Sequence, residues 1–251
     1  MLEGSSAPEQ IKSSNNPQIQ SRVEKKVEEL KQLSRFQNAP QHELIDRARS
    51  QVAHEIWINR SREKTKTAEE KAIRDKLTGL HNRAWFDDEL TRAHSAAISR
   101  GKNLWIVMMD IDDFKVINDT YGHLKGDDVL RALGEIGARE SEPISRYGGE
   151  EFAQIISDGL NLEEVENIIA RYSLNFKEAT KSLLGREATL SFGVAKLEKR
   201  ESPETLVERA DAALYQTKRR GKDQANFITG STKSPIYNRL DLTPRERVKV
   251  S

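Results

Sequence analysis

The stretch that most limits this chain is "NLWIVMMDI", residues 103–111. Leu104 to Met109 are apolar without a break, and the run closes on Asp110. A run that short and that continuous reads as a strand covered on both faces, because alternation would mark a strand with one wet face. Such a strand needs a sheet around it and helices over the sheet. The flanking sequence supplies both. "RAWFDDELTRAHSAAISRG" has helical spacing through Trp85, Leu90, Ala93 and Ala97, with Gly101 as its stop. "DDFKVINDTYG" and "GDDVLRALGEIGARE" predict two more helices, and "NLEEVENIIARYSLNFKEATKSL" an amphipathic one. "PISRY" and "EFAQIIS" predict strands on either side of a Gly-Gly bend, hence a hairpin. "ATLSFGVAKLE" predicts a strand, "SPETLVERADAALYQTKRRG" a capped helix and "ANFI" a short closing strand. Strands alternating with helices, plus one hairpin, give an α/β fold with a helix-covered sheet.

The ends differ from this middle. Residues 1–20, rich in Ser, Asn, Gln and Pro, are expected to be disordered. Residues 21–74 predict a helical segment. Val23, Val27, Leu30 and Leu33 form one stripe. After Pro40, the positions Leu44, Ala48, Val52 and Ile56 form another in a long helix from His42 to about Arg74. That stripe suits either a helix packed within its own domain or a dimerising stalk, and sustained heptads are missing. The compact domain is placed at 75–229, followed by a polar tail over 230–251.

The 251 residues carry a net charge of +1, which gives no pull toward nucleic acid or anionic lipid. There is no cysteine, so disulfides and thiolate metal sites are excluded and a reducing compartment is permitted. No apolar stretch approaches the ~18 residues of a membrane span, and the first 20 residues lack the apolar core of a secretory signal. The expectation is a soluble, cytoplasmic protein.

The chemistry gathers around "RYGGEEFAQII", residues 146–156. Glu150 and Glu151 follow the bend, and Asp110 ends the apolar strand. If the hairpin pairs beside that strand, three carboxylates converge on one sheet edge. Carboxylates without His or Cys select hard cations, Mg²⁺ or Mn²⁺, and a pair of these ions suits phosphoryl transfer. Lys115, Lys218 and Lys222 are candidate polyphosphate contacts. Each feature alone has an ordinary reading: a cap, a tight turn, a solvated helix face. A calcium loop is excluded in "DIDDFKVINDTY", whose sixth and twelfth positions are Lys115 and Tyr121 rather than Gly and Glu.

Five segments in order carry a family resemblance: "DKLTGLHNR", "DIDDFKVINDTYGHLKGDDVL", "RYGGEEF", "LSFGVA" and "ADAALYQTKRRGK". Together they resemble the GGDEF-domain diguanylate cyclases in their GGEEF form. The resemblance implies a palm-like mixed sheet and the condensation of two GTP into cyclic di-GMP, with release of two pyrophosphates. It implies that Asp110, the carbonyl of Ile111, Glu150 and Glu151 hold Mg²⁺ (or Mn²⁺), with Glu150 also the base for the 3′-hydroxyl. Asn118 and Asp127 would bind the guanine edge, and His123 would line the pocket. Phe114 and Lys115 would meet phosphates, as would Lys218 and Lys222. Gly148 and Gly149 would let the backbone approach the substrate. Each domain would hold one GTP, so a homodimer is implied. Arg139 and Glu142 occupy the place of an Arg-x-x-Asp product-inhibition site, with Glu replacing the final Asp. A catalytically silent nucleotide receptor, a hybrid dinucleotide synthase and a pure interaction protein are the rival readings.

Overall fold

The computed structural model describes residues 7–33, 36–139, 142–157, 159–230 and 236–242. It divides into two compact units, Met1–Ala72 and Ile73–Ser251. Among the described residues no helix is long and apolar enough to cross a membrane.

The first unit holds three helices: α1 (Ala7–Lys12), α2 (Pro17–Lys31) and α3 (Gln41–Ala72). Asn16 caps α2 by accepting a hydrogen bond from the Gln18 amide, and Pro17 occupies the first turn. Val23, Val27 and Leu30 of α2 pack against Leu44, Ala48, Val52 and Ile56 of α3, with Ile11 from α1 closing the cluster. This corrects the expected disorder over residues 7–20 of the segment 1–20: Ile11 is buried and Ile19 packs against the same cluster, so short apolar anchors fix helices in a polar segment. Residues 1–6 lie outside the described residues. The stripe on α3 is covered within the unit itself.

The second unit is a seven-stranded sheet in the order β1-β3-β4-β2-β5-β6-β7. The strands are β1 (His81–Asn82), β2 (Trp105–Ile111), β3 (Ile144–Arg146), β4 (Glu151–Ile156), β5 (Leu190–Lys196), β6 (Gln224–Thr229) and β7 (Ile236–Asp241). β2 is central and runs antiparallel to both β4 and β5. All seven of its residues are buried, as the apolar run requires. Trp105, Val107, Met109 and Ile111 point into a core closed by α5 (Phe114–Tyr121), α6 (His123–Gly137) and α7 (Leu162–Leu184). Ile106 and Met108 point to the opposite face, covered by α4 (Arg83–Arg100) and α8 (Pro203–Arg219). The mixed sheet covered by helices agrees with the fold expected from sequence.

Helix ends follow local chemistry. α4 starts on Asn82, which accepts from the Trp85 amide, and stops at Gly101 with φ 64°. α7 opens with a reciprocal capping box between Asn161 and Glu164. The tail beyond Gly230 is not uniformly irregular. β7 pairs antiparallel with β6, and Leu240 and Leu242 pack against the core. Two leucines within a polar stretch were too sparse a pattern to predict that strand. The remainder of the tail, 231–235 and 243–251, lies outside the described residues.

α8 lies against β5 because Gly193 has no side chain. A Cβ there would run into the backbone of Ala210 and Leu214. Gly193→Ala must therefore push α8 off the sheet or strain it. The expected loss is about 1–3 kcal/mol, read as a lower urea midpoint with unchanged slope; an unchanged midpoint would show that α8 packs otherwise.

Candidate active site

The register of the sheet brings the predicted acids together. β4 pairs with β2 so that Asp110 stands directly opposite Glu151, and β5 places Ser191 on the other side of Asp110. Both acids lie on the face covered by α4 and α8, the face of Met108 and Ala153. The Ile111 amide donates to the Glu150 carbonyl at 3.3 Å, which draws the bend to the end of β2.

The bend itself is clamped from outside. The Tyr147 and Gly148 amides both donate to the Glu151 carbonyl, at 2.8 and 3.1 Å. The Arg146 guanidinium donates to the Gly149 carbonyl through Nε (3.0 Å) and Nη2 (2.7 Å), and to both Asp75 oxygens through Nη1 at 3.2 Å. Asp75 is in turn held by the amide and hydroxyl of Thr78. Neither Gly148 nor Gly149 adopts the left-handed region, so backbone strain does not explain them. A Cβ on Gly149 would meet nothing within 4 Å. Its face is open, as close approach of a ligand requires.

Asp110 is 5% exposed, and Lys218 Nζ lies 2.7 Å from its Oδ2. Burial pushes the Asp110 carboxyl up to about 6; Lys218 opposes this, and the charges of Glu150 and Glu151 add to it. Two glutamates beside a buried carboxylate are thus only partly balanced by one ammonium. The oxygen-only donor set fits a hard divalent cation. As the side chains stand, no three Asp, Glu, His or Cys groups among the described residues are close enough to enclose one. Lys218 holds the position at Asp110 instead.

The loop from β2 to α5 carries Asp113 in the left-handed region, φ 54°. Lys222 Nζ reaches Asp113 Oδ1 at 2.7 Å. Lys222 is not on α8, which ends at Arg219; it follows Gly221 in a turn with φ 65°. The turn at Gly221 sends Lys222 to the β2–α5 loop. Phe114 and Lys115 form the first turn of α5, where Asp113 makes no side-chain cap bond. Lys115 is exposed.

Asn118 on α5 and Asp127 on α6 are half-buried, and Gly126 lets α6 approach Asn118 closely. A Cβ on Gly126 would collide with the Asn118 amide and crowd the Phe114 ring. His123 is the first residue of α6 and is exposed. Arg139 follows the end of α6 and lines a cleft of about 370 Å³ with Glu135 of that helix and Asn175 and Glu178 of α7. The Glu142 carbonyl accepts from Gln154 Nε2 at 2.9 Å.

Sequence reasoning gave no role to Asp75, Arg146 or Gly126. Asp75 and Arg146 meet across 71 positions, which no local pattern reveals. Burial works against the Asp75 charge, but Thr78 and Arg146 outweigh it and lower the pKa. The sign follows: stability from a depressed carboxyl is present above the unfolded value of about 3.9 and lost as pH falls through the folded value. Asp75→Asn should lower stability by about 1–2 kcal/mol at pH 7, with the gap to wild type closing below about pH 4. Urea midpoints at both pH values check this; a gap independent of pH would remove the charge from the explanation.

A family model described as "Diguanylate cyclase, GGDEF domain" matches residues 72–224, more than half of the chain. Over 164 residues the chain is 38% identical to diguanylate cyclase DgcP of Pseudomonas aeruginosa, covering 62% of this chain and 24% of DgcP. It is 35% identical over 179 residues to diguanylate cyclase VdcA of Vibrio cholerae, covering 67% of this chain and 51% of VdcA. The chain thus spans about a quarter of the first relative's length and about half of the second's. The coiled coil and GGDEF domain of DgcB from Caulobacter crescentus, solved in complex with c-di-GMP, aligns with a TM-score of 0.58 and 33% identity, over 67% of this chain and 92% of that one. The acids at the bend, the sheet that presents them and these likenesses agree that the chain belongs to the GGDEF family.

Proposed function

We propose that the chain is a diguanylate cyclase, condensing two GTP into cyclic di-GMP and two pyrophosphates. The observation that carries this reading is Asp110 opposite Glu151 at the mouth of the sheet, with two lysines reaching the same edge. Asp110, Glu150, Glu151 and the Ile111 carbonyl are the groups that would hold Mg²⁺ or Mn²⁺. When bound, such an ion neutralises charge on the attacked phosphate and the leaving oxygen.

The chain's own residues do the rest. Asn118 and Asp127 bind the guanine edge; a carboxylate is the matching acceptor for its N1–H and N2–H₂ donors. His123 lines the nucleotide pocket. The exposed amides at the start of α5, including that of Phe114, and the Lys115 ammonium suit phosphate oxygens. Lys218 leaves Asp110 for the outer phosphates, and Lys222 leaves Asp113 in the same way. The open face of Gly149 admits the nucleotide, and Gly148 leaves room for the Glu151 carboxylate beside it. Glu150 takes the proton of the 3′-hydroxyl, whose oxygen attacks the other nucleotide's α-phosphate as the bond to pyrophosphate breaks. Each catalytic unit holds one nucleotide, so two copies must face each other. Because the α3 stripe is covered within its own unit, pairing uses other surfaces of that unit or of the catalytic one. Arg139 and Glu142 are the product contacts, with binding weakened by the longer acid.

Incubation with GTP and Mg²⁺ should yield cyclic di-GMP by mass, with specific activity rising with protein concentration. Asp110→Asn and Glu150→Gln should each lower turnover by at least about 10³-fold with unchanged circular dichroism. Nucleotide binding without product in the wild type would favour the silent receptor instead. Asp127→Ser should relax the preference for guanine; appreciable cyclic GMP–AMP from the wild type in a GTP and ATP mixture would contradict the assignment of Asp127.

A further inference from the structure

Lys177 is the one lysine of α7 buried among the described residues, at 5% exposure, and none of the roles above uses it. Its ammonium lies 2.8 Å from Asp223 Oδ2 and 2.7 Å from Oδ1, and donates to the Leu242 carbonyl at 2.9 Å. The Asp223 amide donates to Asp112 Oδ2 at 3.1 Å. Asp112, itself 5% exposed, also accepts from the hydroxyls of Thr189 and Ser191, each at 2.6 Å. A continuous polar chain therefore runs from the end of β7, through Lys177 and Asp223, to the residue two places after Asp110.

The backbone along this chain is held against its preference. Lys222 and Asp223 both take left-handed φ, at 65° and 46°, and so does Asp113 at 54°. Such residues persist only where the surroundings over-determine them. Asp223 is fixed at both ends, by Lys177 on its carboxylate and by Asp112 on its amide. Its neighbour Lys222 is thereby aimed at Asp113. β7 lies beyond residue 224, where the family match ends.

We propose that Lys177, Asp223 and Asp112 are positioning residues, through which the C-terminal strand β7 fixes the β2–α5 loop and Lys222 in the geometry the acidic edge needs. The proposal rests on the cyclase reading for its effect on rate. Guanine recognition through Asn118 and Asp127 lies off this chain and should be spared.

The test uses the full-length protein with Lys177→Met, and with Leu240→Ser to loosen β7 without touching the polar chain. Hydrogen exchange should accelerate at least about tenfold in peptides covering residues 111–115 and 220–224, while α4 and β4 keep wild-type rates. Binding of a non-hydrolysable GTP analogue should stay at the wild-type stoichiometry, which a loss of folded protein would lower. Turnover should fall about tenfold, with KM within threefold. If Lys177→Met does not fold, Lys177→Met/Asp223→Asn buries no unpaired charge and gives the same readings. Wild-type exchange at 111–115 in the Lys177 variant overturns the proposal. The same result in Leu240→Ser alone removes β7 from it. Absence of cyclic product in the wild type contradicts the cyclase reading, yet leaves the exchange arm able to decide the coupling.

Discussion

The pairing register between β2 and β4 is the constraint on which the rest of the molecule depends. It sets Asp110 against Glu151 and turns both toward the face of α4 and α8. A slip of one residue would turn Glu151 into the core of α5–α7 and bring Phe152 to the site face. The register is held by more than the ladder. Phe152, Ile156, Val107 and Met109 belong to one core, whereas Ala153, Ile155, Ile106 and Met108 belong to the other. Arg146 adds a lock outside the sheet by joining Asp75 to the Gly149 carbonyl. The apolar pattern that builds the core is therefore also what aligns the carboxylates.

That alignment leaves an electrostatic imbalance. A buried Asp110 beside two glutamates is a poor place for negative charge, and its pKa rises to about 6 in spite of Lys218. Lys218 and Lys222 each hold an acid at the same edge. On the proposed cyclase reading, an incoming cation with a polyphosphate offers both partners a replacement: the cation for the carboxylates, the phosphates for the lysines. The same ion pairs that stabilise the free protein thus keep the site assembled and ready for exchange.

Much of this was legible in the sequence because it depends on local pattern. The run from Leu104 to Met109 had to be a doubly covered strand, and the Gly-Gly bend between apolar runs had to be a hairpin. Gly101 marked a helix end by its own chemistry. What escaped depends on contacts between distant residues. The Asp75–Arg146 lock, the seat that Gly126 makes for Asn118 and the pairing of β7 leave no periodic trace. The first 20 residues misled for a related reason. Composition reports polarity, while Ile11 and Ile19 suffice to dock short helices on α3.

The central claim is that the acidic edge made by this register takes up a divalent cation together with a nucleotide. Manganese electron paramagnetic resonance, titrated in the presence of a non-hydrolysable GTP analogue, tests it directly. The account predicts bound Mn²⁺ that depends on the nucleotide, is abolished in Asp110→Asn and is restored to the free signal by excess Mg²⁺. Bound Mn²⁺ of equal affinity in wild type and Asp110→Asn would contradict it, because the ion would then sit elsewhere.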